Sequence, residues 1–172
     1  MKKALVNFVE TFVVGLLLAI LIMVFVGQSL EITGDSMYPT LKNAERIVVE
    51  KITYKSRIPQ RGEIVVFRSL QNDAIFLIKR VVALPGDTIA LDAGRMLVNG
   101  RAIDEKYLPD QVPLQDLGAL AKYATAPIPQ GFMAVMGDNR DESFDSRMFG
   151  LVPFDKLVGK ALVVFWPPAR LI

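Results

Sequence analysis

The chain contains no histidine and no cysteine, so any hydrolytic chemistry must work without imidazole or thiolate. Ser-His-Asp and Cys-His triads drop out, and with them cysteine-ligated metal sites and most zinc sites. A serine nucleophile would then need a carboxylate, a lysine or an N-terminal amine as its base. Ser36 stands in Gly34-Asp35-Ser36-Met37-Tyr38-Pro39-Thr40. Glycine, aspartate and serine in a row make a turn, and Pro39 keeps the following bonds out of a helix. Such a turn can present a hydroxyl at a fixed position. The plain alternative is a connecting loop.

Lys79 is the candidate base. It interrupts Ile75-Phe76-Leu77-Ile78-Lys79-Arg80-Val81-Val82, which is apolar on both faces and reads as a central, buried strand. Alternation puts Lys79 on the side of Leu77 and Val81 and Arg80 on the other. A lysine there either packs its stem and extends its amine to water, or is desolvated and loses basicity. In the second case the neutral amine can take a proton from a serine hydroxyl. A third cluster, Gly137-Asp138-Asn139-Arg140-Asp141-Glu142-Ser143-Phe144-Asp145-Ser146-Arg147, follows a strand and is dense in hydrogen-bonding groups. It reads as a solvated hairpin loop or as an ordered scaffold braced by Asp-Arg pairs.

The elements that must position these residues are of two kinds. Lys2 and Lys3 open the chain, and no charged residue occurs from Thr11 to Leu30. That run matches the roughly 20 residues needed to cross a bilayer as a helix. A cleavable secretory signal competes, with Gly27-Gln28-Ser29 as its small-x-small triplet, but its apolar region is usually only about 7–15 residues. The basic flank puts the N-terminus in the cytoplasm and residues 31–172 outside. The interval from Gln28 to Ser36 spans at most about 27 Å when extended, which holds Ser36 at the outer membrane surface.

Beyond Thr40 the pattern changes to short β-type runs: Arg46–Ile52, Gly62–Phe67, Ile75–Val82, Arg95–Val98 with Arg101–Ile103 across Asn99-Gly100, Gly131–Met136 and Lys160–Phe165. Asn-Gly between apolar runs is a strong hairpin signal. The pattern predicts a mainly β protein, in which a single transmembrane helix (residues 1–30 with the N-terminus) precedes an antiparallel sheet or barrel-like catalytic domain over 31–172. Residues 105–130, broken by Pro109, Pro113, Pro127 and Pro129, read as a surface excursion with a short helix near Leu114 to Tyr123. Phe132, Met133, Met136, Met148, Phe149 and Trp166 are expected in the core. The net charge of +2 is small, and no block of basic residues suggests nucleic acid.

Four stretches together resemble the boxes of bacterial signal peptidase I, in the same order. They are Ser36-Met37-Tyr38-Pro39-Thr40, Arg61-Gly62-Glu63-Ile64-Val65-Val66-Phe67, Lys79-Arg80-Val81-Val82-Ala83-Leu84-Pro85-Gly86-Asp87, and Gly137 through Arg147. Compact size and a single anchor resemble the short form of that family. The resemblance implies that Ser36 is the nucleophile, Lys79 its general base, and Ser143 the group that orients the Lys79 amine. It further implies an Asp145–Arg147 ion pair, and stabilisation of the loop by Asp138 with Arg140. Some members carry a serine two residues before the nucleophile, where its hydroxyl helps hold the oxyanion. Gly34 has none here, so backbone N–H groups of Gly34 and Ser36 are expected to serve.

The implied activity is removal of signal peptides from exported preproteins after small-x-small residues, without metal or cofactor. It would take place at the outer face of the plasma membrane, near the export machinery and against the lipid bilayer. The substrate is expected to add as a strand between Leu30–Gly34 and Ile75–Lys79, with Ile32, Met37, Leu41 and Ile78 bounding its pockets. A non-catalytic anchored β-domain that binds exported proteins is the alternative from another class, and it would not need the serine and lysine together. Soluble self-cleaving Ser/Lys regulators lack an N-terminal membrane segment, and eukaryotic-type signal peptidases use histidine.

Overall fold

The computed structural model describes residues 2–25, 27–108, 113–167 and 169–172. Helix α1 (Lys2–Phe25) opens the chain. The strands that follow are β1 (Gly27–Glu31), β2 (Arg46–Glu50), β3 (Ile64–Arg68), β4 (Phe76–Ala83), β5 (Ile89–Asp92), β6 (Arg95–Val98), β7 (Arg101–Ala102), β8 (Phe132–Met136), β9 (Val152–Pro153), β10 (Leu157–Trp166) and β11 (Arg170–Leu171). Two single-turn helices, α2 (Thr53–Ser56) and α3 (Ser146–Phe149), lie between strands. The protein is mainly β, as its short runs with glycine and proline punctuation predict.

The main sheet runs β1-β2-β10-β3-β4-β8-β9, with β11 on β10, and β5-β6-β7 form a second sheet. All recorded pairings are antiparallel. The end strands β1 and β9 do not pair with each other, so the main sheet is open and not a closed barrel. The Asn99-Gly100 hairpin forms as expected: both residues have positive φ, 54° and 73°, and Val98 faces Arg101.

Three expectations are corrected. The apolar run does not continue as helix to Leu30, because Gly27–Glu31 pair with Arg46–Glu50 and their backbone groups bond to β2. The sheet therefore begins at Gly27, inside the stretch assigned to the anchor. Val26 and the side chains of residues 19–25 lie outside the described residues. Among the described residues no helix is long and apolar enough to cross a membrane. The helix expected near Leu114 to Tyr123 is instead a 3-10 segment at Gly118–Ala124. Met133 and Met136 are buried in the core, whereas Phe132 is exposed and Met148 and Trp166 are about two-thirds exposed, at 66% and 64%.

Two parts of the core position the site. Ile32, Met37 and Leu41 pack with Ile47, Val49, Ile64, Val66 and Val164, so the Ser36 turn is nailed to β2, β3 and β10 by apolar neighbours on both sides of it. Truncating one such side chain, as in Leu41→Ala, costs about 2–5 kcal/mol. The second part joins Leu114, Leu117, Leu120 and Ile128 of the excursion to Ile89, Met96 and Val98 of the small sheet and to Ala134 and Met136 of β8. The proline-rich stretch is thus packed on β8 of the main sheet and on the small sheet.

Candidate active site

The turn that carries Ser36 is closed by two backbone hydrogen bonds, from the Tyr38 N–H to the Asp35 carbonyl at 3.0 Å and from the Leu41 N–H to the Met37 carbonyl at 2.9 Å. Its far side is tied to the polar loop: the Asn139 N–H donates to the Ser36 carbonyl at 3.1 Å, and the Asn139 side-chain amide donates to the Asp35 carbonyl at 3.2 Å. Lys79 lies on β4, between β3 and β8 in the sheet. Its amine reaches the Ser36 hydroxyl at 2.6 Å. Only 3% of Lys79 is exposed, so the snorkelling alternative does not hold. Burial pushes its pKa down to about 8, against the opposing pull of the Asp145 and Asp138 charges. The pair is within the reach required of a nucleophile and its base.

The two faces of β4 do different things, as alternation predicts. Lys79 meets Ser36. Arg80 turns the other way and donates from Nε to Asp138 Oδ1 at 2.8 Å and from Nη2 to Asp138 Oδ2 at 2.6 Å. Thr40 Oγ1 donates to the same carboxylate at 2.6 Å, which joins the end of the Ser36 turn to the ion pair. Asp138 is fully buried in its side chain. Such a fork-to-fork pair fixes geometry as well as charge.

Asp145 and Arg147 form the expected ion pair, at 2.9 Å. The Asp145 carboxylate also accepts from the Gly137 N–H at 3.0 Å and the Arg147 N–H at 3.1 Å, capping α3. Burial, the largest single effect, works to raise its pKa, but the Arg147 hydrogen bonds and charge together with the Gly137 N–H hold it below the usual carboxylate range.

Four expected contacts are corrected. Asp138 pairs with Arg80 and not with Arg140. The Arg140 guanidinium instead donates to the Gly137 carbonyl at 3.1 Å and to Glu105, because it points back beneath its own loop. Ser143 Oγ is buried without a hydrogen-bond partner. It faces Gly137, 2.2 Å from where a Cβ would stand, while the Lys79 amine is drawn to Ser36. The Gly34 N–H is committed to Asn43 Oδ1 at 2.9 Å, so it is not a free oxyanion donor. Leu41 is fully buried and does not wall the cleft.

That cleft, of about 240 Å³, runs between the end of β1 and the first half of β4 and has Ser36 and Lys79 at its base. Ile32, Met37 and Ile78 line it, together with Leu30, Thr33, Phe76 and Leu77. β8 pairs with β4 only from Arg80 onward, so Phe76–Lys79 has an unpaired edge on that side. A larger cavity of about 740 Å³, walled by Arg61, Arg101 and Tyr107, contains neither Ser36 nor Lys79. Sequence reasoning missed Glu105 and Tyr107, which reach the polar loop from the excursion.

A turn-borne serine hydroxyl in contact with a buried lysine amine, at the edge of an open antiparallel sheet, is an arrangement suited to a serine peptidase. Residues 5–166 match the family of signal peptidases, peptidase S26, and the chain belongs to that family. It is a serine peptidase. It is 39% identical to a probable signal peptidase I-2 of Synechocystis, over 94% of this chain and 73% of the relative. It is 36% identical to signal peptidase IB of Staphylococcus aureus, over 97% of this chain and 92% of the relative. A crystal structure of a signal peptidase I from Enterococcus faecalis superposes with a TM-score of 0.51 at 31% identity, covering 60% of this chain and 97% of that one.

Proposed function

We propose that this protein removes signal peptides from preproteins, with Ser36 as nucleophile and Lys79 as general base. The 2.6 Å contact between a turn-borne hydroxyl and a buried lysine amine carries the reading. With a pKa near 8, roughly a tenth of the amine is neutral at pH 7. In that form the hydrogen bond reverses, and Ser36 donates to Nζ.

The neutral amine takes the Ser36 proton as Oγ attacks the scissile carbonyl carbon. The Ser36 N–H, to which no protein acceptor is assigned among the described residues, is the donor for the resulting oxyanion. The Lys79 ammonium then protonates the leaving amine, which frees the mature chain and leaves an acyl ester on Ser36. Water attacks that ester with Lys79 again as base, and the proton returns to Ser36 Oγ.

The substrate's extended end lies in the 240 Å³ cleft and bonds to the open edges of β1 and of Phe76–Lys79. Ile32, Met37 and Ile78 bound shallow pockets that admit small side chains. Asp145, Arg147, Asp138 and Arg140 touch neither Ser36 Oγ nor Lys79 Nζ; they brace the loop and the turn, and the Asp145 and Asp138 charges temper the loss of basicity at Lys79. The uncharged run from Thr11 and the basic start at Lys2 and Lys3 support a membrane-anchored chain, with its N-terminus in the cytoplasm and its catalytic sheet on the outer face beside the export machinery.

The direct test is cleavage of a preprotein by the intact chain. Ser36→Ala and Lys79→Ala should each lower kcat at least 1,000-fold while the fold persists by circular dichroism. A Lys79→Ala protein with full activity would sink the dyad.

A further inference from the structure

We propose that Glu105 and Tyr107, from the excursion after β7, are positioning residues for the Ser36 nucleophile. The proposal rests on the Ser36–Lys79 reading above and adds residues outside the four boxes. Along this segment Glu105 and Tyr107 point inward, while Lys106 between them is 88% exposed in its side chain and paired with exposed Asp104. The inward pair meets two buried guanidinium groups.

Arg140 is almost wholly buried and donates to the Glu105 carboxylate and, at 3.4 Å, to the Tyr107 hydroxyl. The Tyr107 hydroxyl in turn donates to Glu105 at 2.9 Å. The face of the Tyr107 ring lies under the Arg80 guanidinium, 3.9 Å from ring centroid to Cζ. One tyrosine therefore touches both arginines, and one glutamate supplies the charge that Arg140 needs in a buried position. Asp138 does not supply it, being paired with Arg80 and Thr40 instead.

What Arg140 does with this support reaches the nucleophile. Its Nε holds the Gly137 carbonyl at 3.1 Å, and its own carbonyl accepts from Arg147 Nη2 at 2.5 Å. Between those two anchors sits Asn139, whose N–H and side chain grip the Ser36 and Asp35 carbonyls. The order is Glu105 to Arg140, Arg140 to the 137–140 turn, and that turn to the backbone of Ser36. Arg80 runs a parallel path from Tyr107 through Asp138 and Thr40. Loosening either path leaves the cleft intact but lets the hydroxyl drift from the attack geometry. The cost falls on the chemical step rather than on substrate binding.

The test uses the full-length protein and a peptide with a small-x-small cleavage site, with kcat normalised to the folded fraction at the assay temperature. Glu105→Gln should lower kcat about tenfold with KM within twofold, and Tyr107→Phe, which keeps the ring under Arg80, about threefold. The double variant should fall little below Glu105→Gln alone, because both act through Arg140. Lys106→Ala should match the parent. If Glu105→Gln does not fold, Tyr107→Phe decides by itself. Folded variants with parental kcat, or a loss carried by KM alone, would overturn the proposal. A failure of the dyad itself would show separately, as cleavage surviving Ser36→Ala in the same assay.

Discussion

Gly137 leaves no room for a side chain against Ser36: a Cβ on Gly137 would stand 2.3 Å from the Ser36 carbonyl oxygen and 2.2 Å from Ser143 Oγ. The polar loop and the Ser36 backbone are thus in direct contact, across a gap that only hydrogen can fill. Gly137→Ala must push the Ser36 carbonyl or Ser143 aside. It is expected to cost about 1–3 kcal/mol of stability and roughly 100-fold in kcat. Thermal unfolding and steady-state kinetics of the same preparation would check both.

The Arg80–Asp138 pair gives a second prediction. Asp138→Asn leaves a buried guanidinium without its counter-charge and weakens the Thr40 link to the Ser36 turn. Breaking one side of a buried pair typically costs about 3–5 kcal/mol. For a chain of this size that lowers the unfolding midpoint by about 10 °C, and differential scanning calorimetry would show it.

Lys79 is held in a place that disfavours its charge, so removing the amine should stabilise the fold. Its folded pKa of about 8 lies below the unfolded value of about 10.4. The unfolded chain therefore binds more protons between these two values, and stability from this group rises with pH through that window. Below pH 8 the whole penalty applies. Lys79→Met, similar in length and uncharged, should be inactive yet about 2–3 kcal/mol more stable at pH 7. It should also lose the upward slope between pH 8 and 10. Denaturant titrations at several pH values measure both quantities.

Much of this site was legible because its residues break local patterns. A lysine inside an apolar strand and a serine on a Gly-Asp-Ser turn, in a chain with no histidine, pointed to each other before any coordinates. The Asp145–Arg147 pair was legible for a similar reason, since its partners are two residues apart and bound to one helix cap. The partner of Asp138 was not, because Arg80 lies 58 residues away and only the sheet brings it there. Arg140 and Glu105 are 35 residues apart, and the prolines that follow Glu105 signal loop without saying where it packs. β1 was hidden by its composition: Gly27–Leu30 extends an uncharged run, and nothing local shows that it pairs with β2. The commitment of the Gly34 N–H to Asn43 is likewise a property of the folded turn.

The Ser36–Lys79 dyad is tested most directly by the pH dependence of kcat/KM for preprotein cleavage by the intact chain. Activity should rise with pH as Lys79 loses its proton, half-maximal near pH 8. A rising limb centred near pH 4, where carboxylates titrate, would contradict the account and assign the base elsewhere.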